Sequence, residues 1–395
     1  MMIVHVIFAD AEMLFGFGYW TTFLGAIIKM KNKRWLGLLI IIFSVLIVWV
    51  NFRKNSLNDY FSSLPTIWKF ETTDPITSTP TVDGKRIFIR TVNSVYALDS
   101  STGSKLWQVE SPNNSPLSLA PITDGDYLIV PEADSRIAVF LANDGQLVWR
   151  TAVIDPAFTH PSAIDIEAIA VGDNIIYVAR FDSALTAYSL VSGEVLWEYD
   201  LSGRSNPYLT IDDKAVYLGV GQKLTALDLV NGNPLWEYEV EGYIGPMAID
   251  ENMLFVLDEE HSNILAIDTN SHLLKWENKL EAENFEFNCV QVHSDKIYIS
   301  SQRLIALSKD NGQSIWQSKN TGRLECPVIF NESIYVRNNK SSLFVFNSNS
   351  GEEIGSLSVS PNSSMKHNPN RSPELSGGLL IIPIENYEII AVSLE

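Results

Sequence analysis

The sequence predicts an all-β chain, an eight-bladed β-propeller preceded by one transmembrane helix. Two registers of repeated residues carry the prediction. In the first, an alternating apolar stretch is followed by a Gly and, four residues later, a Trp, with a period of about 40 residues. The copies read Tyr96-Ala97-Leu98-Asp99 to Gly103 and Trp107, Val139-Phe140-Leu141 to Gly145 and Trp149, and Leu185-Thr186-Ala187-Tyr188 to Gly193 and Trp197. They continue with Leu224 to Asp228, Gly232 and Trp236, with Leu265 to Asp268 and Trp276, and with Ile305-Ala306-Leu307, Gly312 and Trp316. In the second register a turn rich in Asp, Asn and Gly lies upstream of each unit: Asp83-Gly84, Asp124-Gly125, Asp173-Asn174, Asp212-Asp213, Glu251-Asn252, Ser294-Asp295, Asn331-Glu332 and Gly377-Gly378. Each opens a β-rich run such as Ile176-Tyr177-Val178.

The departures from the repeat locate the closure of the ring. The fifth copy has His272 in place of its Gly, and the seventh keeps Gly351 but ends in Gly355 where a Trp is due. The eighth, Ile390 to Leu394, stops before its Trp, and the missing Trp stands at the other end in Pro65-Thr66-Ile67-Trp68-Lys69-Phe70. A last blade completed by the N-terminal strand accounts for both loose ends and removes the free sheet edges that an open array would carry.

In chain order, residues 1–34 form a cytoplasmic segment, 35–52 a transmembrane signal anchor, 53–64 a linker and 65–395 the propeller. The anchor runs from Trp35 through Phe52 with no charge, long enough to span roughly 27 Å as a helix. Lys29, Lys31, Lys33 and Arg34 precede it and only Arg53 and Lys54 follow. The positive-inside bias therefore leaves the propeller outside, facing the periplasm or the cell exterior from a single-pass anchor in the cell membrane. A cleaved signal is disfavoured because no small-x-small site and no nearby Cys follow the apolar run. Residues 13–28 are apolar as well. Either translation begins at Met30, the reading preferred here, or they form a second short span; the propeller lies on the same side in both cases.

The repeat chemistry explains the blades. Middle strands such as Leu379-Leu380-Ile381-Ile382 must be apolar on both faces, because each blade is covered by two neighbours. The Gly permits a positive-φ turn into the outermost strand. Trp68, Trp107, Trp149, Trp197, Trp236, Trp276 and Trp316 are expected to be blade-docking residues that cover the seams with large apolar area.

These repeats resemble the PQQ-like propeller repeat, whose mark is an aromatic-Ala-Leu-Asp strand followed by Gly and Trp at this spacing, and the resemblance covers residues 65–395. The family includes the propellers of quinoprotein alcohol dehydrogenases and the lipoprotein propeller subunit of the outer-membrane β-barrel assembly machinery. The first would imply bound pyrroloquinoline quinone and calcium with oxidation of an alcohol or sugar. The second would imply a protein-binding scaffold with no cofactor. The absence of a lipid-attachment Cys near the anchor sets this chain apart from the lipoprotein.

Charge and chemistry narrow the choice. Six of the 28 basic residues and two of the 47 acidic ones lie in residues 1–54, so the remainder has 22 basic against 45 acidic residues and a formal charge of −23. Nucleic acid is thereby disfavoured as a partner. No HExxH, Gly-x-Ser-x-Gly, phosphate-loop or CxxC motif occurs, and the six His, at 5, 160, 261, 272, 293 and 367, show no ligand spacing. No catalytic, cofactor-binding or metal-binding residue is assigned. Cys289 and Cys326 each stand nine residues before a Tyr, Tyr298 and Tyr335. They occupy equivalent places on the inner strands of adjacent blades, either joined in a disulfide or kept as two buried free thiols.

The sequence also marks one face. Loops that join successive blades and loops that join the two middle strands emerge on the same side, and the longest departures from the period, 153–166 and 358–375, fall there with 111–117 and 281–287. Phe158, His160, Arg180, Arg204, Tyr208, Tyr243, Arg323 and His367 are the candidate protein-binding residues of this face, with Arg90 and Arg136 beside them, since exposed Arg and Tyr are enriched at contacts. The expected function is that of a non-catalytic, monomeric propeller scaffold that binds envelope or membrane proteins or peptides during envelope assembly or quality control. A quinoprotein dehydrogenase and a ligand-sensing propeller are the alternatives.

Overall fold

The computed structural model describes residues 60–395 apart from 62, 112–118, 133–135, 152–165, 181–183, 202–205, 281–286, 341 and 359–370. The cytoplasmic segment 1–34, the expected anchor 35–52 and linker residues 53–59 lie outside the described residues. Among the described residues no helix is long and apolar enough to cross a membrane.

Among the described residues thirty-two strands form eight four-stranded antiparallel sheets. Seven are sequential, blade 1 (residues 81–110) through blade 7 (328–358); blade 8 comprises 374–393 and the strand Thr66–Glu71. That N-terminal strand pairs with Glu388–Ser393, with Trp68 opposite Ala391 and Phe70 opposite Ile389. The ring is thus closed by hydrogen bonds between the two ends of the propeller.

Every seam except that between blades 7 and 8 is built on one Trp and one turn. The Trp stands opposite a small residue of its own blade, as Trp107 opposite Ala97, Trp197 opposite Ala187 and Trp316 opposite Ala306, and a register shift follows each of these pairs. The indole lies against the positive-φ Gly of the next blade: a Cβ at Gly103 would come within 2.5 Å of Trp68, one at Gly193 within 2.6 Å of Trp149, and one at Gly232 within 2.5 Å of Trp197. At these positions glycine takes the left-handed turn without strain and leaves room for the indole, which a Cβ would enter. The indole nitrogen then donates to a carbonyl of that turn, from Trp68 to Ser100 (2.9 Å), Trp107 to Ala142 (3.0 Å), Trp197 to Leu229 (3.1 Å) and Trp316 to Ser348 (3.0 Å). The Asp that opens the turn ties it down, as Asp99 Oδ1 accepts from the backbone of Ser101 and Thr102.

The two irregular copies are accommodated differently. His272 adopts φ 58° and its ring stacks on Trp236 with centroids 5.2 Å apart, an imidazole in place of the bare glycine. At Gly355 the missing indole is replaced from outside the blade: a Cβ there would come within 2.7 Å of Tyr60. Tyr60 and Tyr335 share a hydroxyl hydrogen bond of 2.8 Å, and Phe61 is buried with Tyr60 and Leu64 in the core between blades 7 and 8. The residues expected to end the linker therefore pack as part of the propeller.

Blades 6 and 7 carry a covalent link. Cys289 and Cys326 form a disulfide with a Cα–Cα distance of 5.3 Å and a sequence separation of 37. Neither is buried, so of the two sequence alternatives the buried free thiols are not what the structure shows. Closing a loop of that length restricts the unfolded chain by about 4 kcal/mol. Reduction, or the double change Cys289→Ser with Cys326→Ser, is expected to lower the unfolding free energy by that amount and with it the urea midpoint; identical midpoints with and without reductant would refute the expectation.

Candidate functional site

Antiparallel order within each blade puts the loops between blades and the loops between middle strands on one face, and the short Gly and Asp turns on the other. The candidate site is the first of these faces, around the mouth of the ring.

The mouth is lined by charges that end the inner and second strands. At blades 1 and 2, Glu132 is fully buried: its Oε2 accepts from Arg150 Nε (2.7 Å) and its Oε1 from Arg150 Nη2 (3.0 Å) and Ser111 Oγ (3.2 Å). At blades 4 and 5, Tyr208 donates to Glu259 Oε1 (3.1 Å). Burial, then the charge of Glu259 and its bond, push the Tyr208 phenol well above its usual range, so it acts as a neutral donor, while Arg323 opposes the shift. Beside them buried Asp258 accepts from the backbone of Gly242, Glu260 and His261 and pairs with His261 Nδ1 at 3.0 Å. That bond raises the pKa of the exposed imidazole. At blades 6 and 7, Arg323 Nε donates to Asn288 Oδ1 (2.7 Å), and at blades 7 and 8 Arg337 Nη1 donates to the carbonyls of Arg371 (3.2 Å) and Pro383 (2.9 Å).

The candidate residues separate into three groups. Tyr208, Tyr243 and Arg323 lie on the expected face, with Tyr243 59% exposed and Arg323 exposed. Arg180 does not offer an exposed contact: it is 5% exposed, donates to Thr186 Oγ1 (3.2 Å) and Tyr188 Oη (2.9 Å), and lies over the Tyr188 ring. Its own blade supplies every partner, so it is a core residue; Arg90, 1% exposed, is also buried. Phe158, His160, Arg204 and His367 lie outside the described residues, as do most of the four long loops. The sequence reading missed Glu132, Glu259 and the Asp258–His261 pair. A charged residue directly after an apolar strand, as in Val130-Pro131-Glu132 and Leu257-Asp258-Glu259, was the available signal.

On the inner strand Glu374–Ser376, burial raises the pKa of Glu374 to about 7. A raised carboxyl is held neutral in the fold, so its contribution is present below its unfolded pKa near 4.5 and is lost as pH rises through about 7. Glu374→Gln is expected to stabilise the propeller at pH 8 by about 2 kcal/mol and to have no effect at pH 4. Equal effects at the two pH values in urea titrations would contradict the assignment. Among the described residues no group of three His, Cys, Asp or Glu side chains is placed to hold a metal ion.

Comparison with known proteins adds to this geometry. The family model described as "Outer membrane protein assembly factor BamB" matches residues 65–162, 158–284 and 260–395. The outer membrane protein assembly factor BamB of Yersinia pestis is 24% identical over 349 residues, which cover 80% of this chain and 82% of that protein. Among solved structures, BamB from Moraxella catarrhalis superposes with a TM-score of 0.64 at 14% identity, covering 84% of this chain and 99% of that one. The quinohemoprotein alcohol dehydrogenase ADHIIG of Pseudomonas putida HK5 superposes with a TM-score of 0.66 at 10% identity, covering 84% of this chain and 76% of that one. At such identities the structural likenesses show the shared propeller alone.

Proposed function

Because the chain belongs to the family described as outer membrane protein assembly factor BamB, we propose that it is a non-catalytic scaffold whose propeller binds other envelope proteins during the assembly of outer membrane proteins. The observation that carries this reading is the family match, which runs through all eight blades. The mouth supports it chemically. Tyr243 presents a large amphipathic side chain to solvent, and Tyr208, Glu259 and Arg323 lie in one another's electrostatic field beside it. A neutral hydrogen-bond donor, a carboxylate and a guanidinium around an exposed aromatic suit the capture of a polar peptide backbone or a mixed-charge loop. We place the propeller outside the cytoplasmic membrane, anchored through residues 35–52 and working as a monomer.

A photo-crosslinking residue at Tyr243 in the full-length chain is expected to trap an envelope protein, whereas the same residue at Ser101, in an exposed turn on the opposite face, is expected to trap none. Equal capture from both positions, or from neither, would sink the proposal. Titration with pyrroloquinoline quinone and calcium is expected to leave the melting temperature unchanged, and a saturable rise would replace the scaffold with a dehydrogenase.

A further inference from the structure

Arg90 is the largest fully buried side chain of the propeller, and neither of its terminal nitrogens has a hydrogen-bond partner. It ends the strand Arg86–Arg90 and lies two residues beyond Phe88, whose side chain packs against blade 2. Strand alternation gives Arg90 the same orientation, into the seam between blades 1 and 2. Glu132 lies there and attracts the guanidinium, but both of its oxygens are already taken by Arg150 and Ser111. Among the described residues the Glu132–Arg150 pair is neutral, and no hydrogen bond reaches the terminal nitrogens of Arg90.

Blade 7 shows how the same position is satisfied from within the protein. Arg337 also lies two residues beyond the aromatic of its strand, Tyr335, and reaches into blade 8. There it donates to the carbonyl of Pro383, two residues beyond Ile381. The matching residue of blade 2 is Pro131, two residues beyond Ile129. The Arg-to-Pro relation is thus present in both seams, yet the terminal nitrogens of Arg90 bond neither Pro131 nor any other described residue. Enclosed water could meet the hydrogen-bonding need of Arg90 but not its charge, and a buried unpaired ion costs several kcal/mol. An anion meets both needs, and the parallel N–H groups of a guanidinium edge chelate one.

We propose that Arg90 is an anion site, its two terminal nitrogens holding a small monovalent anion of chloride size in the seam between blades 1 and 2. Burial leaves the guanidinium still protonated at neutral pH, with its pKa drawn down only to about 10.

The test uses the full-length chain. Relative to the general fall that loss of excluded sulfate produces in any fold, exchanging sodium sulfate for sodium bromide at constant ionic strength is expected to raise the melting temperature by about 3 °C. Arg90→Met, which fills the seam with an apolar stem, is expected to abolish that rise, and Arg337→Met to preserve it. Crystals of the unmodified chain grown in bromide are expected to show an anomalous peak at hydrogen-bonding distance from Arg90, a readout that does not depend on either variant folding. An absent peak, or an undiminished bromide response in Arg90→Met, overturns the site and leaves Arg90 a residue solvated by enclosed water.

Discussion

Replacing Trp68 by Ala is expected to destabilise the propeller by about 5 kcal/mol, more than the same change at Trp107. Both indoles are buried to the same degree, both lie against a positive-φ glycine, and both donate to a turn carbonyl. Truncating a buried Trp costs about 3 to 5 kcal/mol, and leaving the carbonyl of Ser100 or Ala142 unpaired adds about 1 kcal/mol in either case. The difference lies in connectivity. Trp107 belongs to a blade whose four strands are consecutive in sequence, whereas Trp68 stands on the strand that pairs with the C-terminal strand. Losing its grip on Gly103 loosens the contact that holds blade 8 to blade 1, and no backbone connection within the blade restores it. Urea midpoints of the two variants provide the check. Equal losses would mean that the closing strand behaves as any other outer strand, and the closure argument would fail.

Gly103→Ala should reproduce most of this loss, because its Cβ would enter the Trp68 ring and the residue would have to hold φ 68°. The same change at Gly84, also at positive φ but with no atom within 4 Å of its Cβ position, isolates the backbone term.

What was legible in the sequence follows from what repeats. Gly, Trp and the apolar strands are dictated by contacts that recur at every seam, so their spacing alone gave the blade count and the N-terminal strand as the completion of the last blade. Even the faults were readable as faults: His272 and Gly355 stood out because the pattern around them is regular. The identity of the compensating residue was not readable, since Tyr60 reaches Gly355 only through the closed ring and is 295 positions away in sequence. The mouth was less legible for a related reason. Arg180, Arg90 and Arg323 all look alike in sequence, each a basic residue next to a loop. Only the neighbours decide that the first turns back onto Thr186 and Tyr188, the second enters a seam and the third stays exposed on Asn288. Polar partners at the mouth come from different blades or from one-off substitutions, and a one-off substitution leaves no period to detect.

Changing Tyr60 and Phe61 together to Ala is expected to cost about 5 kcal/mol, although both residues precede the first strand and the sequence reading placed them in a linker. Phe61 is 8% exposed and packs with Leu343, Val345 and Leu380, and truncating a buried Phe costs about 3 to 5 kcal/mol. Tyr60 covers the bare backbone of Gly355 and bonds Tyr335 through its hydroxyl, a contribution of about 1 kcal/mol that Tyr60→Phe isolates. The seam between blades 7 and 8 is the only one among the described residues at which neither a Trp nor a conserved-type Gly turn of the next blade is available, because blade 8 exchanges that turn for the join between its C-terminal strand and Thr66–Glu71. The aromatic pair therefore does at this seam what one indole does elsewhere. If the double variant unfolds within about 1 kcal/mol of the unmodified chain, the segment is a passive linker after all. If it loses the expected stability and becomes susceptible to proteolysis first in 328–358 and 374–393, the chain leading into the propeller is its eighth seam contact, and any load on that chain is delivered to the joint that lacks a tryptophan.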